Sequence, residues 1–184
     1  MVGQDQYLEE VFDQPPMVAF KRQRNQKDML INAKVPLKKT REGRILNGMK
    51  NCGKCSACPY VYETKTLKTY KNKTWKLMNN LTCESENVIY LLKCDKDNCK
   101  LKYVGETERK FKERMKEHLG YARTNDKTKV TGRHFNLPGH SIADMKFTIL
   151  EKVRKKDTLY RKEREKFHIN TFKSYYNGLN VKPC

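Results

Sequence analysis

With 40 Lys+Arg against 21 Asp+Glu, the 184-residue chain carries a formal charge of +19 and has room for one ordinary domain with a tail or two small ones, which excludes a large multidomain assembly. A hydrophobic content of 37% supports a small core, while 33% charged residues and a mean hydropathy of −0.92 leave much of the chain in water. No apolar run approaches the roughly 20 residues of a membrane span and the first residues hold no secretory signal, so a soluble intracellular chain without a membrane partner is expected. In a reducing compartment seven cysteines favour metal over disulfides, and the positive charge favours a polyanion, nucleic acid first.

Residues 1–50 read as a basic arm. Ten Lys/Arg lie between Lys21 and Lys50 against two acids, Asp28 and Glu42, a local net of +8 with little apolar patterning. A short helix is expected from Asn25 to Ala33, followed by a basic linker from Pro36. Whether the arm is a solvated segment or a groove-binding element stays open; either adds phosphate attraction without sequence readout. Residues 51–85 form a Cys-rich lead-in with Cys52, Cys55, Cys58 and Cys83, in which Thr64–Tyr70 and Thr74–Leu77 alternate as a polar hairpin around Asn72.

The compact part spans 86–184. The apolar run Val88–Leu92 predicts a central strand buried on both faces, and Leu101–Gly105 its hairpin partner. Phe111, Met115, Leu119 and Ala122 recur at helical spacing over Glu108–Ala122. Met145–Ile149 alternates as a third strand, Asp157 N-caps a helix running to about Phe172, and Asn177-Gly178 turns the chain. The expected fold is α/β: a small sandwich with a three-stranded, mainly antiparallel sheet flanked by helices.

Four sets of residues bear chemistry. Arg114 and His118, four apart, border the apolar stripe of the first helix and should face the rim between core and solvent. Glu165 shares a stripe with Ile169 and Phe172, so an acid stands where an apolar residue is due and needs a cation, a donor or a metal; Arg161 and Lys162 are its ordinary partners. Cys94 and Cys99 (C-x4-C), with His134 and His140 (H-x5-H), supply two thiolates and two imidazoles that could close a zinc tetrahedron. Cys52, Cys55, Cys58 and Cys83 are a candidate second zinc set or buried thiols. His168 reads as a surface helical residue, and Cys184 as a terminal thiol.

Val88-Ile89-Tyr90, Tyr103-Val104-Gly105, Arg114 and His118 on one helix, Glu165 on a later one and Asn180 beyond it resemble, in order and spacing, the motifs of the GIY-YIG nucleases, with Val88 where the first motif has glycine. The Cys94/Cys99/His134/His140 set, the stretch Phe12–Arg22, Lys34-Val35-Pro36 and the Cys52 cluster are similar to the endonuclease domain and linker of Penelope-like retrotransposons, as if this were the C-terminal part of such an element, excised or truncated, without its reverse transcriptase. The resemblance implies a DNA endonuclease that nicks target DNA for insertion. Glu165 would hold Mg²⁺ or Mn²⁺, Tyr90 would act as or position the base with Tyr103 beside it, and Arg114 would pair with the phosphate. His118 would accept or donate a proton, and Asn180 would orient the phosphate or hold the metal-binding helix. It also implies structural Zn²⁺, a nuclear location, DNA and element RNA as partners, and a parent reverse transcriptase; oligomeric state is not implied. The competing expectations are a non-catalytic zinc-stabilised nucleic-acid-binding module and an inactive remnant.

Overall fold

The computed structural model describes residues 47–154, 157–176 and 178–180. The helix expected over Asn25–Ala33 and nearly all of the basic arm lie outside the described residues. Among the described residues no helix is long and apolar enough to cross a membrane.

Three strands form the main sheet: β5 (Val88–Cys94) lies in the middle, with β6 (Lys102–Thr107) and β7 (Met145–Lys152) antiparallel on either side. Every residue of β5 except Lys93 is buried, because both faces of the sheet are covered. Alternation sends Val88, Tyr90, Leu92 and Cys94 toward α1 (Phe111–Arg123) and the short α2 (Val130–Phe135), and Ile89 and Leu91 toward α3 (Thr158–Phe172). Phe111, Met115, Leu119 and Ala122 fill the first core, together with Phe135, Phe147 and Ile149; Val104, Leu150, Ile169 and Phe172 fill the second. Each such large side chain removed from water stabilises by about 1.5–3 kcal/mol. Alternation puts Ile149 in the first core and Leu150 in the second, and a register shift between Ile89 and Tyr90 in the β5–β7 ladder sets Glu151 opposite Ile89, so that it too meets α3 through Arg164 and His168. Val88, which replaces the motif glycine, is wholly buried opposite Thr107 and Lys152.

The lead-in packs on the first core. A two-residue strand β1 (Gly48–Met49) pairs in parallel with β4 (Asn80–Leu81), and β2 (Thr66–Lys68) with β3 (Thr74–Lys76) forms the expected hairpin, Asn72 adopting a left-handed φ of 56° in its turn. Met49, Leu77, Leu81 and Cys83 join Tyr90 and Phe147 in one apolar cluster. Backbone carbonyls of Ser85 and Cys83 accept from the N–H groups of Phe111 and Lys112, satisfying the start of α1, which has no side-chain cap. At the head of α3, Asp157 accepts from Leu159 and Tyr160 as expected of an N-cap.

His168 departs from its expected surface position. It is fully buried in α3, with Nε2 2.8 Å from a Glu151 carboxylate oxygen and its ring edge-on to Trp75 at 4.9 Å. Hairpin β2–β3 covers this side of α3 and takes His168 out of water.

Candidate functional site

Tyr90 from β5 and Tyr103 from β6 lie on the α1 side of the sheet, rings 6.3 Å apart. Opposite Tyr90 in the ladder stands Gly105, where a Cβ would lie 2.5 Å from the Tyr90 hydroxyl oxygen, 2.7 Å from its Cζ and 2.8 Å from Tyr103 Cε1. Glycine leaves the space that both phenols occupy. Because Tyr90 is wholly buried and cannot swing into solvent, Gly105→Ala should cost about 1–3 kcal/mol by overpacking. A chemical-denaturation midpoint equal to the parent's would show that the rings have room to spare.

The Tyr90 hydroxyl meets two groups from α1. His118 Nε2 lies 2.7 Å away, and Arg114 donates its Nε–H across 3.0 Å. Sequence spacing puts both residues on the rim; Arg114 is half-buried there, whereas His118 is only 4% exposed, because the rings of Tyr90, Tyr103 and Phe147 close over it. Burial, followed by the charge of Arg114, lowers the His118 pKa to about 3, so the imidazole is neutral at physiological pH. Its Nδ1 faces Thr131 Oγ1 at 3.3 Å. With Nδ1–H donated to Thr131, Nε2 is left as an acceptor for the Tyr90 proton. Burial holds the Tyr90 phenol well above its ordinary value, with Arg114 pulling the other way; Tyr103 is raised in the same manner. Glu117 accepts from Arg114 Nη1 at 2.6 Å and also pairs with Arg109, steadying the guanidinium from the far side.

Glu165 arrives from α3, which packs on the other face of the sheet. It is half-buried, and its charge acts on both phenols while the field of Arg114 acts on it. Burial, then the neighbouring charge of Glu106, push its pKa up to about 7, with Lys162, Arg114 and Arg161 opposing. A carboxylate crowded in this way by a second acid is a natural hard-oxygen ligand for a divalent cation. Arg161, expected beside Glu165, makes its hydrogen bonds elsewhere. At 4% exposure it pairs with Glu106 of β6, donates to Asn87 Oδ1 at 2.9 Å and to Glu108 at 3.2 Å, and so locks α3 onto the two tyrosine strands one turn before Glu165. Sequence reading missed this role. Arg161, Glu165, His168 and Phe172 recur at spacings of four, three and four, which is the signal that could have found it.

Asn180 stands apart from the cluster. Its amide donates to the Val104 carbonyl at 2.7 Å and accepts from the Val104 N–H at 2.8 Å, while its own N–H reaches the Ser174 carbonyl. It thereby ties the segment after α3 to the strand that carries Tyr103 and Gly105.

Two further groups converge. The ligand atoms of Cys94, Cys99, His134 and His140 all lie within 4.8 Å of one another, as do the sulfurs of Cys52, Cys55, Cys58 and Cys83. Tetrahedral zinc with ordinary bond lengths places sulfurs about 3.8 Å apart and a sulfur about 3.5 Å from a ring nitrogen. Here Cys58 is 3.5 Å from Cys52 and 3.4 Å from Cys55, and Cys99 Sγ is 3.7 Å from His134 Nε2. Both ring nitrogens of His140 are buried without a hydrogen-bond partner, which a metal bond would relieve. Burial pushes the Cys94 thiol up to about 11, whereas Cys58 overcomes its burial through hydrogen bonds from Cys55 and Cys52 and falls to about 6. Both donor sets therefore fit zinc.

The GIY-YIG catalytic domain model matches residues 86–180, just over half of the 184-residue chain and the stretch that holds every group of the phenol cluster. No curated protein and no solved structure matches it.

Proposed function

The chain belongs to the GIY-YIG nuclease family, and on that premise we propose that it is a metal-dependent DNA endonuclease of the Penelope-like retrotransposon type, nicking target DNA in the nucleus. The observation that carries the hydrolytic reading is the convergence on Tyr90 Oη of Arg114 and a neutral His118, with Tyr103 beside it and the charge of Glu165 acting on both phenols. The element type draws on Cys94, Cys99, His134 and His140 coming together. With that type go a reverse transcriptase and element RNA as partners.

Glu165 would hold Mg²⁺ or Mn²⁺, which when bound neutralises charge gathering on the phosphate and the departing oxygen. The rest falls to protein groups. Tyr90 is sealed from solvent while Tyr103 is half-buried, so Tyr103 faces the attacking water and Tyr90 lies behind it. The water proton passes to the phenol pair as the Tyr90 proton moves to His118 Nε2, 2.7 Å away; the Glu117 charge favours the imidazolium while burial and Arg114 oppose it, so the proton is held there only transiently. No phenolate need persist, which suits pKa values that burial raises. Arg114 contributes fixed positive charge beside the scissile phosphate. Asn180 is a positioning residue acting through the Val104 backbone.

Supercoiled plasmid incubated with the full chain should be nicked with Mg²⁺ or Mn²⁺ and stay intact without either. Binding without cleavage under both metals would leave a zinc-braced nucleic-acid binder.

A further inference from the structure

A cleft of about 980 Å³ opens between the tip of hairpin β2–β3, the loop from Cys94 to Lys102 and the end of α3. Lys68, Lys96, Lys100 and Lys102 line it, against one acid, Asp97. Among the described residues none of these four lysines is ion-paired; Lys68 donates to the neutral Thr74 hydroxyl, and Lys102 lies over the Phe172 ring at 5.8 Å. Converging cations that lack counter-charges are unfavourable until an anion enters. Two aromatic rings stand on the rim, Tyr70 at 55% and Tyr176 at 67% exposure. The cleft is preformed, since the Tyr70 N–H bonds to the Thr171 carbonyl and docks the hairpin tip on α3.

We infer that this cleft binds single-stranded DNA, its phosphates running along the lysines and its unstacked bases lying on Tyr70 and Tyr176. A lysine-lined groove edged by exposed rings is the arrangement that tracks a single strand, because a duplex keeps the faces of its bases stacked inside and offers the rings nothing. The inference takes from the nuclease reading only that the polyanion is DNA. Lys96 lies between Cys94 and Cys99, Lys100 follows directly, and Cys99, His134 and His140 line the cleft themselves, so the proposed zinc site would also shape this groove.

The test is fluorescence anisotropy of the full chain with a labelled oligothymidylate and, separately, a duplex hairpin, without added Mg²⁺. Replacing Lys96→Ala together with Lys100→Ala should weaken oligothymidylate binding and make its salt dependence shallower by about 1.4 in log–log slope, two phosphate contacts' worth. Tyr70→Ala with Tyr176→Ala, both at exposed positions, should weaken oligothymidylate roughly 10-fold and leave the duplex unchanged. Parent-like single-strand binding by both double variants overturns the inference. So does a lysine effect on both ligands with no tyrosine effect, which would mark a duplex phosphate patch. A parent chain that binds oligothymidylate here yet never cuts plasmid would sink the nuclease reading and leave this site standing.

Discussion

Glu165→Ala should lower plasmid cleavage by about 100-fold or more while duplex binding stays within a few-fold of the parent. The carboxylate is a hard anionic oxygen whose charge acts on both phenols and which itself feels Arg114, so it can bring a divalent cation to a phosphate held there. Binding is carried elsewhere, by a chain with 19 excess positive charges, and deleting an acid can only aid phosphate attraction. The fold should not suffer. Glu165 is half-buried beside Glu106, an arrangement that costs stability, and Arg161 makes the bonds that hold α3 to β6. The variant's melting temperature should therefore equal or exceed the parent's, which separates lost chemistry from lost structure. Glu165→Gln keeps shape and removes charge, and should be as inactive as alanine. A glutamine variant that cuts like the parent would mean that the charge is not used and that no cation is held there.

Much of this arrangement is legible in the letters, and the parts that are not share a cause. Val88–Leu92 and Met145–Ile149 announce themselves because a sheet covered on both faces demands apolar or alternating runs, and α1 because a single helix face must match it. The GIY-YIG resemblance adds the order of the phenols, the guanidinium and the acid. What periodicity cannot give is the depth of polar residues. His118 and His168 are buried because rings from other strands and from the hairpin close over them, and those neighbours are 15 to 93 positions away in sequence. Arg161 looks like an ordinary helix-surface cation. Only the topology, which lays α3 against β6, brings Glu106 and Asn87 to it. Gly105 belongs to the second motif, but why that place needs a glycine shows only when the register sets it opposite Tyr90. The two cysteine-bearing sets are different again: their spacing proposes ligands, but chain folding decides whether four donor atoms meet, and in both sets they do.

That meeting predicts the other large effect. Purified protein should hold about two equivalents of zinc, and stripping them should collapse much of the fold rather than trim its edge. Cys94 ends β5 and Cys99 lies in the β5–β6 loop while His134 and His140 flank the approach to β7, so one ion would fasten all three strands' connections; the other would fasten the Cys52–Cys58 segment to Cys83, whose carbonyl helps satisfy the start of α1. Structural zinc contributes about 10–16 kcal/mol to small metal-folded peptides, against a total of about 5–15 kcal/mol for an ordinary domain. Even a third of the lower figure would shift the melting temperature by about 10 °C at this size. What remains without metal is unfavourable in itself, since the two His140 nitrogens would stay buried with no partner, at about 1–3 kcal/mol each. The sets are separable: His140→Ala should lose one equivalent and Cys55→Ser the other, each with a lower melting temperature. The plasmid-nicking activity should fall with the first, because β6 carries Tyr103 and begins three residues beyond Cys99. A zinc-free chain, by elemental analysis, that melts with the parent's midpoint would mean that the convergence is one of buried thiols and imidazoles alone.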